Sequence, residues 1–187
     1  DNFFEQFTDT GVRQIYGDQA SKQGLSGPWL EKTAQTKETR IERMLNFLVH
    51  TDKIWDRQLM IESTRGIFLE VMAAWESGSD ADIPAKDLFP EVAEHLRQSI
   101  VKNTRDGVTL EFRNLCIRKV ELVLVRNFSD NTKDEFVARV RAHAQKIINR
   151  NSRIIHQDGD VTPFEQFLTF GRLDDQWKIK EIMSPKT

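Results

Sequence analysis

Asp174 and Asp175 stand side by side near the C-terminus, and His156-Gln157-Asp158-Gly159-Asp160 sets a histidine and two acids within five residues. A carboxylate pair is the smallest set for general acid–base work, and closely spaced acids suit a hard cation. Both stretches read more simply as turns. Asp174 and Asp175 fall between two predicted strands, where Asp serves by hydrogen-bonding the local backbone. The 156–160 stretch lacks the acid at the twelfth loop position that a calcium-binding helix–loop–helix needs. His50, His95, His143 and His156 share no metal-ligand spacing. Cys116 is the single cysteine, which rules out an internal disulfide. Arg118 beside it would favour a thiolate, but the sequence shows no histidine to pair with it, and a buried, inert thiol is expected. There is no phosphate-cradling glycine loop and no nucleophile elbow. The residues therefore predict no catalytic group, no metal, no cofactor and no enzyme.

Binding is the stronger reading. Residues 135–148 alternate, with Phe136, Ala138, Val140, Ala142 and Ala144 on one face and Arg139, Arg141 and His143 on the other. Lys146 and Arg150 extend the basic run, and Arg153 lies close by. Such a face suits anionic lipid, each basic residue contributing on the order of 1 kcal/mol near a charged membrane. It suits an acidic protein, a membrane protein among them, or RNA phosphate equally. The competing expectation is a solvated sheet face, its arginines paired across strands with Glu121 or Glu165. A second candidate is the stripe Ile41, Met44, Leu45, Leu48 and Val49, spaced i, i+3, i+4, i+7, i+8. Its uses would be a membrane interface, a partner groove, the domain's own core or a second copy in a homodimer. Its polar side mixes Glu42 with Arg40 and Arg43.

These residues need elements to hold them. The chain has 187 residues, 39% hydrophobic and 30% charged, enough for one packed domain. A net charge of -2 argues against DNA and general RNA binding. No run approaches the roughly 20 apolar residues of a membrane span. Because the first residue is Asp1 rather than Met, an upstream anchor is allowed for. Residues 1–30, with Phe3, Phe4 and Phe7 and scattered glycines, read as a loosely docked arm. An amphipathic helix follows over 31–50, and residues 51–187 form the main domain. There Asp52 is expected to cap a helix running to Glu76, whose stripe is Phe68, Val71, Met72 and Trp75. A third helix covers about 90–103, with Pro90 in its first turn. Strands are expected over 114–128, 135–148, 163–172 and 176–183. In the first, alternation slips at Arg118-Lys119, which predicts a bulge. Helices first and strands after is an α+β layout, with N-terminal helices packed in the concavity of a curved, mainly antiparallel four-stranded sheet.

Several runs resemble a known family. Phe68, Ala74, Trp75 and Asp80, then Asn114, Leu115, Ile117 and Val120, then Phe167, Phe170, Trp177, Glu181 and Ile182 are similar in order and spacing to the Tim-forty-four-like family. That family is named after the peripheral subunit of the mitochondrial inner-membrane import translocase and includes bacterial relatives. The match runs from about 51 to 183. The resemblance implies a nuclear-transport-factor-two-like cone and a non-catalytic tethering or assembly role. It places the protein at a mitochondrial or bacterial inner membrane, peripheral or anchored. Alternatives are a small-ligand binder or enzyme on the same cone, and a ribosome-associated protein.

Overall fold

The computed structural model describes residues 28–185, with side chains described from Lys37 on. Most of the expected arm at 1–30 lies outside the described residues. Three helices come first: α1 (Pro28–Leu48), α2 (Arg57–Ser77) and α3 (Pro90–Arg105). Five strands follow: β1 (Val108–Arg126), β2 (Glu135–Arg150), β3 (Arg153–Gln157), β4 (Thr162–Leu173) and β5 (Gln176–Met183).

The helix boundaries follow from capping chemistry. Asp52 does not cap α2; its carboxylate accepts from the Ile54 N–H and opens a short 3-10 turn, Lys53–Trp55. Asp56 takes the α2 cap, accepting from the Leu59 N–H at 3.1 Å. Gly78, at φ 67°, ends α2 with its N–H on the Ala74 carbonyl, a left-handed conformation that suits glycine. Pro90 starts α3, where its missing N–H would have no partner.

All strand pairings are antiparallel, and the order is β1-β2-β4-β5, with β3 joined to β2 alone. This corrects the expected four-stranded cone. Among the described residues the sheet has five strands, no pairing joins β1 to β5, and it neither curls nor closes. The α+β class, with helices packed against a mainly antiparallel sheet, holds. Register shifts interrupt β1 three times, one of them between Ile117 and Lys119, where the alternation of the sequence slips. The extra residue there re-phases the strand so that Val120 and Leu122 return to the buried side.

One face of the sheet carries the core. Phe136, Ala138, Val140, Ala142 and Ala144 share a buried cluster with Met60, Phe68, Met72, Leu96 and Ile100 from α2 and α3. At one end Phe136 stacks on Phe170 with centroids 4.5 Å apart, and Trp177 meets Phe136 and Trp55 edge-on, each at 4.9 Å. At the other end Gly107, at φ 68°, turns the chain from α3 into β1. A Cβ there would lie 2.1 Å from Asn151 Oδ1, so only glycine fits against the β2–β3 turn.

Candidate functional site

The basic face of β2 is present, and two of its arginines are paired with carboxylates on the neighbouring strands. Register sets Glu121 of β1 opposite Arg139, and Arg141 opposite Glu165 of β4. Arg139 hydrogen-bonds Glu165; Arg141 lies 3.5 Å from Glu165 and 3.7 Å from Glu121; Lys119 lies 3.4 Å from Glu121. This is the cross-strand pairing that the sequence offered as the alternative to a free cationic surface. His143 also lies on this side, its Nδ1 3.5 Å from the Arg118 guanidinium. Lys146 is half-buried, and Arg150 is exposed at the far tip of β2. Eleven residues of strand, about 36 Å, separate Arg139 from Arg150. The five predicted contact residues therefore do not form one patch.

The 156–160 stretch is structural. Asp158 accepts the Lys146 backbone N–H at 2.9 Å and bonds His156 Nε2 at 2.8 Å. Burial pushes the Asp158 carboxyl up, but the Lys146 N–H, the His156 bond and the nearby positive charge outweigh it, so its pKa lies below the usual range. A depressed carboxylate adds stability above its unfolded pKa of about 3.9, and that stability is lost as pH falls through the folded value. Asp158→Asn is expected to flatten the fall in stability below about pH 4. Urea melts of both proteins from pH 6 to pH 2.5 measure it, and identical acid limbs would contradict it.

The stripe on α1 divides. Leu45 and Leu48 are core residues, 1% and 7% exposed, with Ile41 packed against them. Met44 faces outward, and one turn on, Phe47 is 73% exposed. At 100° per residue, Arg40, Arg43, Met44 and Phe47 share one face, which carries no acid. Among the described residues neither Arg40 nor Arg43 pairs with a carboxylate. Phe47 escaped the sequence reading because it falls outside the i, i+3, i+4 stripe, although its spacing from Met44 and Arg43 was visible.

From Phe136 to Ala144 the inner face of β2 carries only Phe, Ala and Val, none of which can move a proton. Cys116 is exposed, not buried as expected, because the irregularity between Arg113 and Cys116 turns it out of the packed layer. Asp174 and Asp175 form the β4–β5 turn at φ 53° and 57°, the left-handed pair of a type I′ hairpin. Asp175 also binds Arg172, which reaches Asp52 at 2.8 Å and Asp134 at 3.1 Å. Burial opposes the charge on Arg172, but its bonds to Asp175, Asp52 and Asp134 outweigh that and raise its pKa. Among the described residues no group of three or more His, Cys, Asp or Glu is placed to hold a metal. No described helix is long and apolar enough to cross a membrane, which says nothing of strands.

No family model and no curated protein matches the chain. Solved structures do. The intermembrane-space region of the chloroplast protein ARC6 is 12% identical over 67% of this chain and 97% of its own, at a TM-score of 0.46. A de novo β-sheet design is 16% identical over 70% and 90%, at 0.36. An NTF-2-like protein of unknown function from Shewanella oneidensis is 13% identical over 67% and 98%, at 0.34. The NTF2-like description recurs among the matched structures, and nothing ties the chain specifically to the Tim-forty-four-like family. With every TM-score below 0.5, these likenesses assign no activity.

Proposed function

We propose that this chain is a non-catalytic binding domain that docks peripherally on an anionic membrane surface through the outer face of α1. The observation that carries the reading is Phe47, a large aromatic side chain 73% exposed, with Met44, Arg43 and Arg40 on the same face. An apolar tip beside two arginines that pair with no carboxylate among the described residues is the arrangement of interfacial helices, which combine apolar burial with attraction to anionic headgroups. Arg139 and Arg141 have a different role here: they bind Glu121 and Glu165 and hold strands together. The packed apolar inner face of the sheet also favours binding over pocket chemistry.

Liposome flotation tests this. The protein is expected to float with anionic vesicles, to stay down with neutral ones, and to release in 1 M salt. Arg40→Ala/Arg43→Ala should weaken binding by about 2 kcal/mol, roughly 30-fold, at about 1 kcal/mol per basic residue. Phe47→Ser should cost on the order of tenfold or more, since full burial of such a side chain is worth about 1.5–3 kcal/mol. Equal flotation of these variants and the parent protein would remove α1 as the contact.

A further inference from the structure

The β2–β3 hairpin lies at the end of the long strands away from the α1–α2 turn. Its two-residue turn, Asn151-Ser152, has φ values of 51° and 67°, the type I′ form. All five residues of β3 are exposed, and β3 pairs with β2 alone among the described residues. Its second edge is therefore an open row of backbone donors and acceptors. Ile154 and Ile155 are 60% and 52% exposed; Ile154 sits opposite Asn149 of β2, and Ile155 is the extra residue of a bulge in that ladder. Natural edge strands are often blunted by charge, proline, bulges or cover; β3 carries the bulge, yet both of its isoleucines stay bare. Register also places Arg150 directly opposite Arg153, with no carboxylate on either among the described residues. Like charges facing each other across a ladder destabilise it, unlike the compensated pairs around Arg141.

We infer that the free edge of β3 accepts an extended acidic segment of a partner protein as an added antiparallel strand. Backbone pairing would give the affinity, Ile154 and Ile155 would pack the incoming apolar side chains, and Arg150 and Arg153 would select carboxylates. A second copy of this chain fits less well. Two β3 edges would gather four arginines around one short ladder whose nearest acid, Asp158, is already bonded to His156 and the Lys146 N–H. Five residues a side also bury far less than the roughly 1,200 Å² of a stable interface.

The test uses two blocked heptapeptides, one alternating Glu with Val and one alternating Lys with Val, titrated into the full chain while backbone amide shifts are followed. In a type I′ hairpin the residues flanking the turn, Arg150 and Arg153, bond each other, so the next residue, Ile154, directs its N–H outward. The Glu probe is expected to shift the amides of residues 153–157 and to bind at least tenfold more tightly than the Lys probe. Ile154→Pro should abolish that shift while the amides of β1 and β5 stay in place. Arg150→Glu/Arg153→Glu should reverse the preference between probes, a readout that does not depend on how the proline variant folds. Absence of shifts at millimolar Glu probe, or one preference in both proteins, overturns the inference. Self-association without probe, lost in Ile154→Pro, would give the edge to a second copy instead.

Discussion

Arg172→Met is expected to lower stability by about 3–5 kcal/mol, the cost of orphaning a buried charge. Arg172 is 8% exposed and Asp134 is 1% exposed, so the pair is shielded from water on both sides. Asp134 is held from two directions, by Arg172 at 3.1 Å and by the Phe128 N–H at 2.7 Å. Removing the guanidinium leaves the buried Asp134 carboxyl without its cation and with the Phe128 N–H still bonded to it. It also unties Asp52 and Asp175, the half-exposed and exposed ends of the same knot. The double variant Arg172→Met/Asp134→Asn should recover much of the loss, because the neutral amide no longer needs a counter-charge. Urea denaturation measures both, as a lower midpoint at unchanged slope. A loss under 1 kcal/mol for Arg172→Met, or no recovery in the double variant, would mean that water replaces the guanidinium freely.

The second large effect belongs to Phe136. It is 0% exposed, stacked on Phe170 of β4 and met edge-on by Trp177 of β5. Trp177 in turn donates its Nε1–H to the Ile54 carbonyl at 2.7 Å and packs on Trp55. One ring thus joins three strands to the turn that leads from α1 to α2. Phe136→Ala removes the ring and leaves a cavity that stacked aromatics cannot fill, at a cost of about 3–5 kcal/mol. At about 2–4 °C per kcal/mol for a chain of this size, the melting temperature should fall by roughly 6–20 °C. Against a typical total of 5–15 kcal/mol, either substitution alone brings the domain near its folding limit. A fall of less than 3 °C for Phe136→Ala would show that this aromatic cluster does not hold the α1–α2 turn onto the sheet.

The elements that were legible in the sequence are those with a clean period. The stripe Phe68, Val71, Met72 and Trp75 is buried as expected, and so is the alternating inner face of β2. Three features were hidden. β3 is too short and too exposed to alternate: its two isoleucines are adjacent, so the stretch reads as part of a turn. The early half of β1, where Val108, Leu110 and Phe112 alternate inward, is cut off from 114–128 by the irregularity at Asn114, so the two halves share no single period. The Arg172 knot has no local signature, since its partners lie 120, 38 and 3 residues away in sequence. The candidate site was half legible. Charge on β2 was visible, but whether it was free depended on Glu121 and Glu165, which only strand register brings alongside. On α1 the apolar stripe was visible, but its span of side chains is wider than the sheet can cover. Leu45 and Leu48 take the core, and Met44 and Phe47 are left to solvent.

The two proposed contacts lie at opposite ends of the strands, a cationic and apolar helix face at one end and an open strand edge at the other. If both proposals hold, such a domain would engage a membrane and a partner at once without either contact excluding the other. Site-resolved labelling measures this most directly. An environment-sensitive fluorophore is placed on Cys at position 47 or at position 155, each in a Cys116→Ser background, and emission is followed as anionic vesicles are added. A blue shift is expected for the label at 47, with unchanged emission at 155. A label at 47 that stays in water, or one at 155 that enters the lipid, would contradict docking through α1.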